Sequence, residues 1–269
     1  YNILNTYLPA FIILLIFFFL SIPENFSGAD DAYTFARFIR DAEIGALLQP
    51  RYPLYLLLGR GVMNFAEFLG LPVNTHMLMV IISSVSGACS VILLYHISLT
   101  HLKLARFTSF CTALLLLLSW SFWRYSVEAE VYIPSVFMLL LYILVLYRLK
   151  ESNERPNWAI WITAVLVGIF TISLYKPNVI PVMFCLPWVL WEGKSKLIRP
   201  ILLIAFVGGG LVALYTVFAT FSPYYSFGDY LVGGVSLTPG SLWSSIMVAV
   251  PVTMGRPWAV RFTPSWAPA

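Results

Sequence analysis

The 269-residue chain is 60% hydrophobic, 16% aromatic and only 10% charged, whereas a soluble domain is about half apolar and about a quarter charged. This composition excludes a soluble globular domain and indicates a protein embedded in a lipid bilayer. Its net charge of +4 would suggest anionic partners for a soluble protein, but in a membrane protein the distribution of charge between loops matters more.

Seven apolar stretches approach the length of about 20 residues that an α-helix needs to cross a membrane. They are residues 4–22, 75–97, 106–122, 132–149, 158–175, 177–191 and 200–221. An eighth candidate, 242–260, contains Pro251 and Gly255 and stops at Arg256. The predicted fold class is therefore all-α, a polytopic membrane helix bundle of about seven or eight spans.

We divide the chain at residue 222. Residues 1–222 form a transmembrane domain that includes the outer loop 23–74, and residues 223–269 form an outer-side segment with the eighth candidate span. The chain opens at a tyrosine rather than a methionine, so we expect a fragment of a longer protein. The first run, 4–22, has no basic region before it and no small-x-small cleavage pattern after it, which predicts a retained helix rather than a signal peptide.

Positive charge is concentrated on one side of the predicted membrane. Eight Lys and Arg residues lie in or beside the short loops 98–105, 150–157 and 192–199, and the positive-inside rule places these loops in the cytoplasm. Nine of the twelve carboxylates then lie on the outer side. Topology alone can sort charges in this way, and the alternative is that the outer face needs carboxylates for its function.

The long outer loop, residues 23–74, is expected to carry structure of its own because connections of that length rarely lack it. An acidic pair, Asp30 and Asp31, follows the first apolar run. Either carboxylate can cap a helix that runs to about Asp41 by accepting N–H groups of the first turn. Apolar and charged residues fall on different faces of this helix, which is the pattern of a helix lying in the membrane interface.

A second apolar stretch in the same loop, residues 53–71, is too polar for a span. Arg60, Asn64 and Glu67 interrupt it, and a charged side chain at the centre of a membrane helix costs about 3 kcal/mol. We predict an interfacial or re-entrant helix that does not cross the bilayer. A full span here would move every later loop to the opposite side.

Four motifs on the predicted outer face resemble segments of one enzyme family. They are A-D-D-A-Y at 29–33, Q-P-R-Y-P-L-Y-L-L-L-G-R at 49–60, F-W-R-Y-S-V-E-A-E-V-Y-I-P at 122–134 and L-Y-K-P-N-V-I-P-V at 174–182. In order and spacing, residues 4–222 resemble the GT-C membrane glycosyltransferases, in particular the protein O-mannosyltransferase-like group. The chain departs from that pattern at Lys176, where the group has His.

The resemblance implies a GT-C-like domain that transfers a sugar from a polyprenyl-phosphate carrier to an acceptor hydroxyl on the non-cytoplasmic face. The acceptor would be a protein, a lipid or a glycan, and the membrane, whose lipids surround the spans, would be the bacterial inner membrane or the endoplasmic reticulum. Asp30 is the first candidate for the general base and Asp31 the second. For both residues the alternative is helix capping without catalysis.

Four basic residues are candidates for binding the carrier phosphate, because guanidinium makes bidentate contacts to phosphate oxygens and ammonium pairs with them. Arg51 and Arg60 lie in the second motif, and Arg124 and Lys176 are the sole bases in their short outer turns. The alternatives are contact with lipid headgroups for the first two and snorkelling to the interface for the last two.

The remaining candidates for substrate binding come from the same motifs. Tyr55 belongs to the Pro-Leu-Tyr segment. Glu128 and Glu130 lie in a tight outer turn, and Glu130, which matches the family's Glu-Val-Tyr, could orient the acceptor or the backbone. The alternative for both is a solvated loop acid. Tyr132 could stack on a sugar or belong to an aromatic belt at the interface.

We expect no obligatory cofactor. His76, His96 and His101 fall on both membrane faces, which argues against a metal site built from them. A divalent cation held by Asp30 and Asp31 together with the carrier phosphate is the one metal role that fits, because hard cations take carboxylate oxygens. The sequence has no Walker loop, Rossmann fingerprint or basic nucleic-acid-binding segment, so we expect no nucleic-acid partner.

Two other functions fit such a chain, a lipid or solute transporter and a non-catalytic accessory subunit that packs against other membrane subunits. A transporter places ionisable groups in mid-membrane, whereas here the carboxylates collect at one interface. An accessory subunit stays open because a catalytic fold can persist after activity is lost. A cavity shared by the acidic pair with Arg51 or Arg124 would favour the enzyme.

Overall fold

The computed structural model describes residues 3–22, 30–152, 158–190 and 198–232. Within these residues every regular element is a helix, which confirms the predicted all-α class. The elements are α1 (Ile3–Leu20), α2 (Asp30–Asp41), α3 (Ile44–Leu47), α4 (Pro53–Phe68), α5 (Thr75–Thr100), α6 (Arg106–Leu118), α7 (Trp120–Ser126), α8 (Tyr132–Glu151), α9 (Trp158–Leu174), α10 (Ile198–Phe221) and α11 (Phe227–Val232).

Three of these helices, α5, α8 and α10, are long and apolar enough to cross a membrane. Helices α6 and α7 make a fourth span if the pair, bent by 65° at their junction, is counted as one. Helix α9 and the apolar part of α1, Tyr7–Leu20, are shorter. The chain is thus an integral membrane protein, and the part of it that the structure describes contains three or four spans by length and composition. The count of seven or eight stays a prediction, and the eighth candidate, 242–260, lies outside the described residues.

The stretch predicted as a span at 177–191 does not form one α-helix. It forms a 3₁₀ turn at Lys176–Asn178, a π-helical segment at Ile180–Cys185 and a second 3₁₀ turn at Leu186–Leu190. Three prolines, Pro177, Pro181 and Pro187, explain the difference. Each proline removes a backbone donor and clashes with the carbonyl one turn earlier, so a regular α-helical ladder cannot run through them.

Three helices occupy the outer loop: α2 and α4, which the sequence predicts, and the single turn α3 between them. Helix α2 runs from the acidic pair to Asp41, and α4 begins with a proline, which suits the first turn of a helix. At 16 residues α4 is about 24 Å long and is not among the helices long and apolar enough to cross the membrane. Its predicted position along the outer face stays a prediction, because no bilayer position is defined.

The outer-loop helices pack on the ends of the longer helices around one apolar core. Helix α2 contacts α4 and α5, and α4 contacts α9. Gly59 makes this packing close, because a Cβ atom there would lie 2.9 Å from the Met79 sulfur and 2.5 Å from a methyl carbon of Ile39. The core also contains buried Ala32 from the start of α2 together with Ala129 and Val131 from the turn between α7 and α8.

Candidate functional site

Four tyrosine rings from separate parts of the chain meet at the predicted outer end of the bundle. Tyr52 stacks on Tyr175 with ring centroids 6.2 Å apart and planes 7° from parallel. Tyr132 meets Tyr175 edge-on at 5.5 Å, and Tyr125 lies 4.9 Å from Tyr132. These four rings, the tyrosine cluster, join the residue before α4, helix α7, the start of α8 and the residue after α9.

Two buried carboxylates lie beside this cluster, in the turn that joins α7 to α8. Glu128 is 3% exposed and Glu130 is 6% exposed. Arg124 forms an ion pair with Glu128. Burial, with the charge of Glu130 as a further cause, holds the pKa of Tyr55 well above its usual value, so Glu130 lies within electrostatic reach of that hydroxyl. The alternative interpretation, solvated loop acids, does not fit the structure, because both glutamates are buried.

The turn that carries these carboxylates is held against α5 by serine side chains. Ser83 donates a hydrogen bond of 3.2 Å to the backbone carbonyl of Glu130, and Ser84 donates one of 2.8 Å to the carbonyl of Ser126. Irregular backbone near a membrane needs such partners, because an unsatisfied carbonyl in apolar surroundings is costly. The two hydroxyls therefore anchor the backbone that carries Glu128 and Glu130 to helix α5.

Burial raises the pKa of Glu128, while the guanidinium of Arg124 opposes the shift. Desolvation disfavours the charged form of a carboxylate, and a neighbouring cation favours it. The balance leaves a carboxyl that exchanges its proton closer to neutral pH than an exposed glutamate does. Such a group can accept and return a proton during group transfer.

Arg51 lies at the exposed edge of the tyrosine cluster. Its guanidinium carbon is 5.1 Å from the centre of the Tyr52 ring, the geometry of a cation–π contact. Burial raises the pKa of the Tyr175 hydroxyl, and the charge of Arg51 opposes this rise. Arg51 therefore faces two rings of the tyrosine cluster, Tyr52 and Tyr175, and its exposed side chain is accessible to an anionic ligand.

Arg60 has a different setting from Arg51. Its Nε donates to the carbonyl of Ile39, and a terminal nitrogen donates to the carbonyl of Ala42 at 2.6 Å. These are carbonyls at the end of α2, where a cation also complements the helix dipole. Arg60 thus ties α4 to the end of α2, and its contact with a carrier phosphate stays a prediction.

Lys176 joins two segments that are distant in sequence. Its side chain is 6% exposed and donates a hydrogen bond of 2.6 Å to the carbonyl of Tyr230 in α11. The Tyr230 hydroxyl in turn donates to the carbonyl of Leu48 at 2.5 Å. Burial lowers the pKa of the Lys176 amine. These two hydrogen bonds therefore link Lys176 to α11, and α11 to Leu48 of the outer loop.

The acidic pair forms the first turn of α2. The next residue, Ala32, is fully buried in the core that contains Ala129 and Val131, which flank Glu130. The start of α2 and the turn with the two glutamates therefore pack into the same apolar core. The side chains of Asp30 and Asp31 lie outside the described part of the structure, so their capping, catalytic and metal-binding roles stay predictions.

Most predicted site residues thus converge, and the structure adds Tyr52, Tyr125 and Tyr175, which sequence reasoning missed. Each of the three stands next to a basic residue that was singled out, in the pairs Arg51–Tyr52, Arg124–Tyr125 and Tyr175–Lys176. The repeated pairing of a basic residue with a tyrosine in three segments is the sequence signal that could have identified these tyrosines. The three histidines do not converge, since His96 and His101 lie near the far end of α5 from His76. Within the described residues no group of three His, Cys, Asp or Glu side chains could hold a metal ion.

An apolar groove begins one turn from Arg51 and runs along α4 where it faces α9. It has a volume of about 420 Å³ and is lined by Leu54, Leu57, Leu58, Gly61, Val62, Phe65 and Phe170. A Cβ atom built on Gly61 meets no heavy atom within 4 Å, so the groove is open at that point. The apolar groove, Arg51 and the tyrosine cluster therefore lie next to one another near the start of α4.

Comparison with known families gives one result. Residues 41–198 match the family model described as "Protein O-mannosyl-transferase TMEM260 N-terminal domain". The matched range includes Arg51, Tyr55, Glu128 and Glu130, and it begins after the acidic pair. No curated protein and no solved structure matches the chain.

Proposed function

Because the chain belongs to the family of the protein O-mannosyl-transferase TMEM260 N-terminal domain, we propose that it transfers mannose from a polyprenyl-phosphate carrier to a hydroxyl of an acceptor protein. We assign the reaction to the non-cytoplasmic face and the architecture to the GT-C class. The family assignment itself points to a glycosyltransferase. The carrier, the membrane face and the GT-C class are our proposals, which rest on charge distribution and on the arrangement of the site.

One arrangement carries the proposal. The start of α2, which carries the acidic pair, shares one apolar core with Tyr52 and with the turn that holds two buried glutamates, and exposed Arg51 contacts the Tyr52 ring. Buried carboxylates are costly in apolar surroundings. Together with cations and aromatic rings they supply what sugar transfer needs, namely proton acceptors, a binding site for phosphate and flat surfaces for a sugar.

The carrier is assigned from the groove next to Arg51. A polyprenyl phosphate has a long apolar tail and an anionic head, and the groove lined by leucines of α4 meets the first requirement. Arg51 meets the second, because its guanidinium can make two parallel hydrogen bonds to phosphate oxygens. Arg124 is a second candidate for the phosphate, although its ion pair with Glu128 must then be shared.

The acceptor hydroxyl must lose a proton as it attacks the anomeric carbon. We assign this step to Asp30, with Asp31 as the alternative. Glu130 lies close to the tyrosine hydroxyls and is assigned to orienting the acceptor. The leaving group is the carrier phosphate, whose charge the arginines stabilise. A divalent cation between the acidic pair and the phosphate would assist the same step by neutralising charge.

The proposal is tested by sugar transfer with the full-length protein in detergent or liposomes, using polyprenyl-phosphate mannose and an acceptor polypeptide. Asp30→Asn preserves size and removes the proton acceptor, so transfer should fall about 10²-fold to 10⁴-fold while folding is retained. Asp31→Asn should leave transfer nearly unchanged if that residue only stabilises the start of the helix, because asparagine caps about as well as aspartate and only the favourable charge at the helix N-terminus, at most about 1 kcal/mol, is lost.

Arg51 provides an independent test. Arg51→Ala should raise the KM for the donor and leave the rate at saturating donor nearly unchanged, and Arg51→Lys should restore part of the affinity because it restores charge without the bidentate geometry. Wild-type turnover in both aspartate variants would remove the acidic pair from the mechanism, and no mannose transfer by the folded wild-type protein would refute the proposed function.

A further inference from the structure

A second cavity lies on the other side of the outer-loop helices from the apolar groove. It has a volume of about 640 Å³ and is formed where α2 meets the start of α5. The residues that matter for its chemistry are Tyr33, Arg37 and Arg40 of α2 and Asn74 and His76 at the start of α5. Its size is in the range of sites that hold small ligands or short peptide segments.

The wall of this cavity is a stacked pair of rings. Tyr33 and His76 lie nearly parallel, at 13°, with centroids 4.7 Å apart, so the pair bridges α2 and α5. Tyr33 is half exposed, with 50% of its surface accessible. An accessible flat ring of this kind can take up a side chain or a peptide plane without any change in the packing behind it.

The cavity is also basic. Arg37 and Arg40 lie on the same face of α2 as Tyr33, and their side chains are 84% and 65% exposed. Both contact Asp41, at 4.0 Å and 2.8 Å between the guanidinium Nε and a carboxylate oxygen. Two cations therefore share one carboxylate, which leaves a net positive charge. Among the described residues that line the cavity there is no carboxylate.

The position of the cavity relates it to the proposed reaction. Tyr33 follows Asp30 by three residues on the same helix, so about 4.5 Å of helix rise separates their backbone positions. The apolar groove lies on the α9 side of α4, whereas α2 packs on α4 from another side. A lipid-linked donor and a water-borne acceptor can therefore approach the start of α2 from different directions.

We propose that this cavity binds the acceptor polypeptide, and that Arg37 and Arg40 select acceptors with Asp or Glu next to the hydroxyl-bearing residue. Tyr33 and His76 form the surface on which the peptide lies. An acidic polypeptide is favoured over a lipid headgroup because the cavity combines half-exposed aromatic surface with two largely solvated arginines, away from the groove that suits a lipid tail. This inference rests on the proposed function for the identity of the ligand as an acceptor.

The experiment measures peptide binding and transfer separately, with the full-length protein in detergent. Two fluorescent serine peptides are compared, one with Glu and one with Lys on both sides of the serine, and the dissociation constant is measured by anisotropy without donor. Arg37→Ala and Arg40→Ala should each weaken binding of the acidic peptide about twofold to fivefold, because ion pairs of exposed side chains contribute up to about 1 kcal/mol. Arg37→Glu should reverse the preference between the two peptides.

The matched control is Arg106→Ala, which removes an exposed arginine at the far end of the bundle and should leave both dissociation constants unchanged. Tyr33→Phe should keep binding and Tyr33→Ala should weaken binding of both peptides, because the ring rather than the hydroxyl forms the surface. In the transfer assay the arginine variants should raise the KM for the acidic acceptor and leave kcat and the donor KM unchanged.

Equal binding of the acidic peptide by wild type, Arg37→Ala and Arg40→Ala would overturn the inference. So would variants that lose binding to anionic lipid vesicles and keep peptide binding, because the arginines would then contact headgroups. Because binding is measured without donor, a wild-type protein that binds the acidic peptide through Arg37 and transfers no sugar would contradict the proposed function alone.

Discussion

The two ends of helix α5 carry polar groups in opposite surroundings. In the half of α5 predicted to face outward, Ser83 and Ser84 hold a turn whose glutamates are almost completely buried. At the other end His101 contacts the carboxylate of Glu151 at 2.8 Å, and the Glu151 side chain is 54% exposed. Glu128 and Glu130 are shielded from water, which costs free energy, whereas Glu151 keeps about half of its exposure to solvent.

This difference supports the placement of the proposed site at the end with the buried glutamates. A solvated ion pair contributes little to stability and is cheap to keep, so its presence says little about function. Buried carboxylates destabilise the fold unless cations and hydroxyls compensate for lost hydration, and groups with such perturbed surroundings are concentrated at functional sites. The histidine end therefore serves as an internal control for every test of the outer end.

Among the variants that compare the two ends of α5, the largest effect is expected from removing a charge in the turn that carries the buried glutamates. Glu130→Gln keeps the shape of the side chain but weakens its hydrogen bonds to an acceptor hydroxyl, and we expect kcat for mannose transfer to fall roughly 10-fold to 10²-fold, since such bonds contribute about 1.5–3 kcal/mol. Glu151→Gln makes the same chemical change at the solvated end and should leave kcat unchanged. Steady-state kinetics on both variants checks this, with thermal unfolding to confirm that both are folded.

Equal losses in the two variants would show that the carboxylates act on stability alone. A Glu130→Gln protein with wild-type kcat would remove this residue from the site while leaving the acidic pair untested.

A smaller effect is expected from filling the apolar groove. Gly61→Phe places a ring where a built Cβ atom meets nothing within 4 Å, so the fold should tolerate it while the groove is blocked. We expect the KM for the polyprenyl donor to rise about tenfold, corresponding to about 1.4 kcal/mol of lost apolar contact. Gly209→Phe is the matched control, because Gly209 is an exposed helical glycine that is equally open in α10.

A donor with a short prenyl chain sharpens this test. It reaches less of the groove, so Gly61→Phe should raise its KM less than that of the long-chain donor. Identical KM values for Gly61→Phe, Gly209→Phe and wild type would place the lipid tail elsewhere.

The sequence predicts much of the fold but less of the site. The all-α class and the helix at Asp30–Asp41 follow from composition and from the local pattern of apolar and charged residues, which are short-range properties. The interruption of 177–191 was also readable, because three prolines in eleven residues are incompatible with a regular helix. An average hydropathy does not reveal this interruption, because it measures how apolar the side chains are and not whether each backbone N–H is present.

The site could be predicted by residue type and not by environment. The motifs pointed to Arg51, Arg124 and Glu130, and these lie at one end of the bundle. Arg51 faces tyrosine rings, whereas Arg60 binds carbonyls at the end of α2. This difference depends on tertiary packing, which residue spacing in the sequence does not encode. The link from Lys176 to Tyr230 spans 54 residues and has no local signature either.

A weaker effect should appear in the pH dependence of stability. Burial raises the pKa of Glu128, so between the pKa of the unfolded chain, near 4.3, and the higher pKa of the folded state, the folded protein binds more protons. The free energy of unfolding should therefore fall as pH rises through this window. Glu128→Gln should abolish this part of the slope, measured as melting temperature in detergent from pH 4 to 7, with Glu151→Gln as control. An unchanged slope in Glu128→Gln would contradict the shift.

The smallest effect is expected at the solvated end of α5. His101 stacks on Tyr147 with centroids 5.1 Å apart and contacts a carboxylate that is mostly hydrated. Glu151→Gln keeps the shape of the side chain and removes the charge; since the carboxylate is half exposed although His101 is buried, the free energy of unfolding should fall by about 1 kcal/mol or less. Denaturant titration in detergent, repeated at low and high salt, measures this. A loss above about 2 kcal/mol that salt does not reduce would mean that this pair is shielded from water in the membrane-embedded protein. The two ends of α5 would then be alike, and buried charge could no longer be used to identify the functional end.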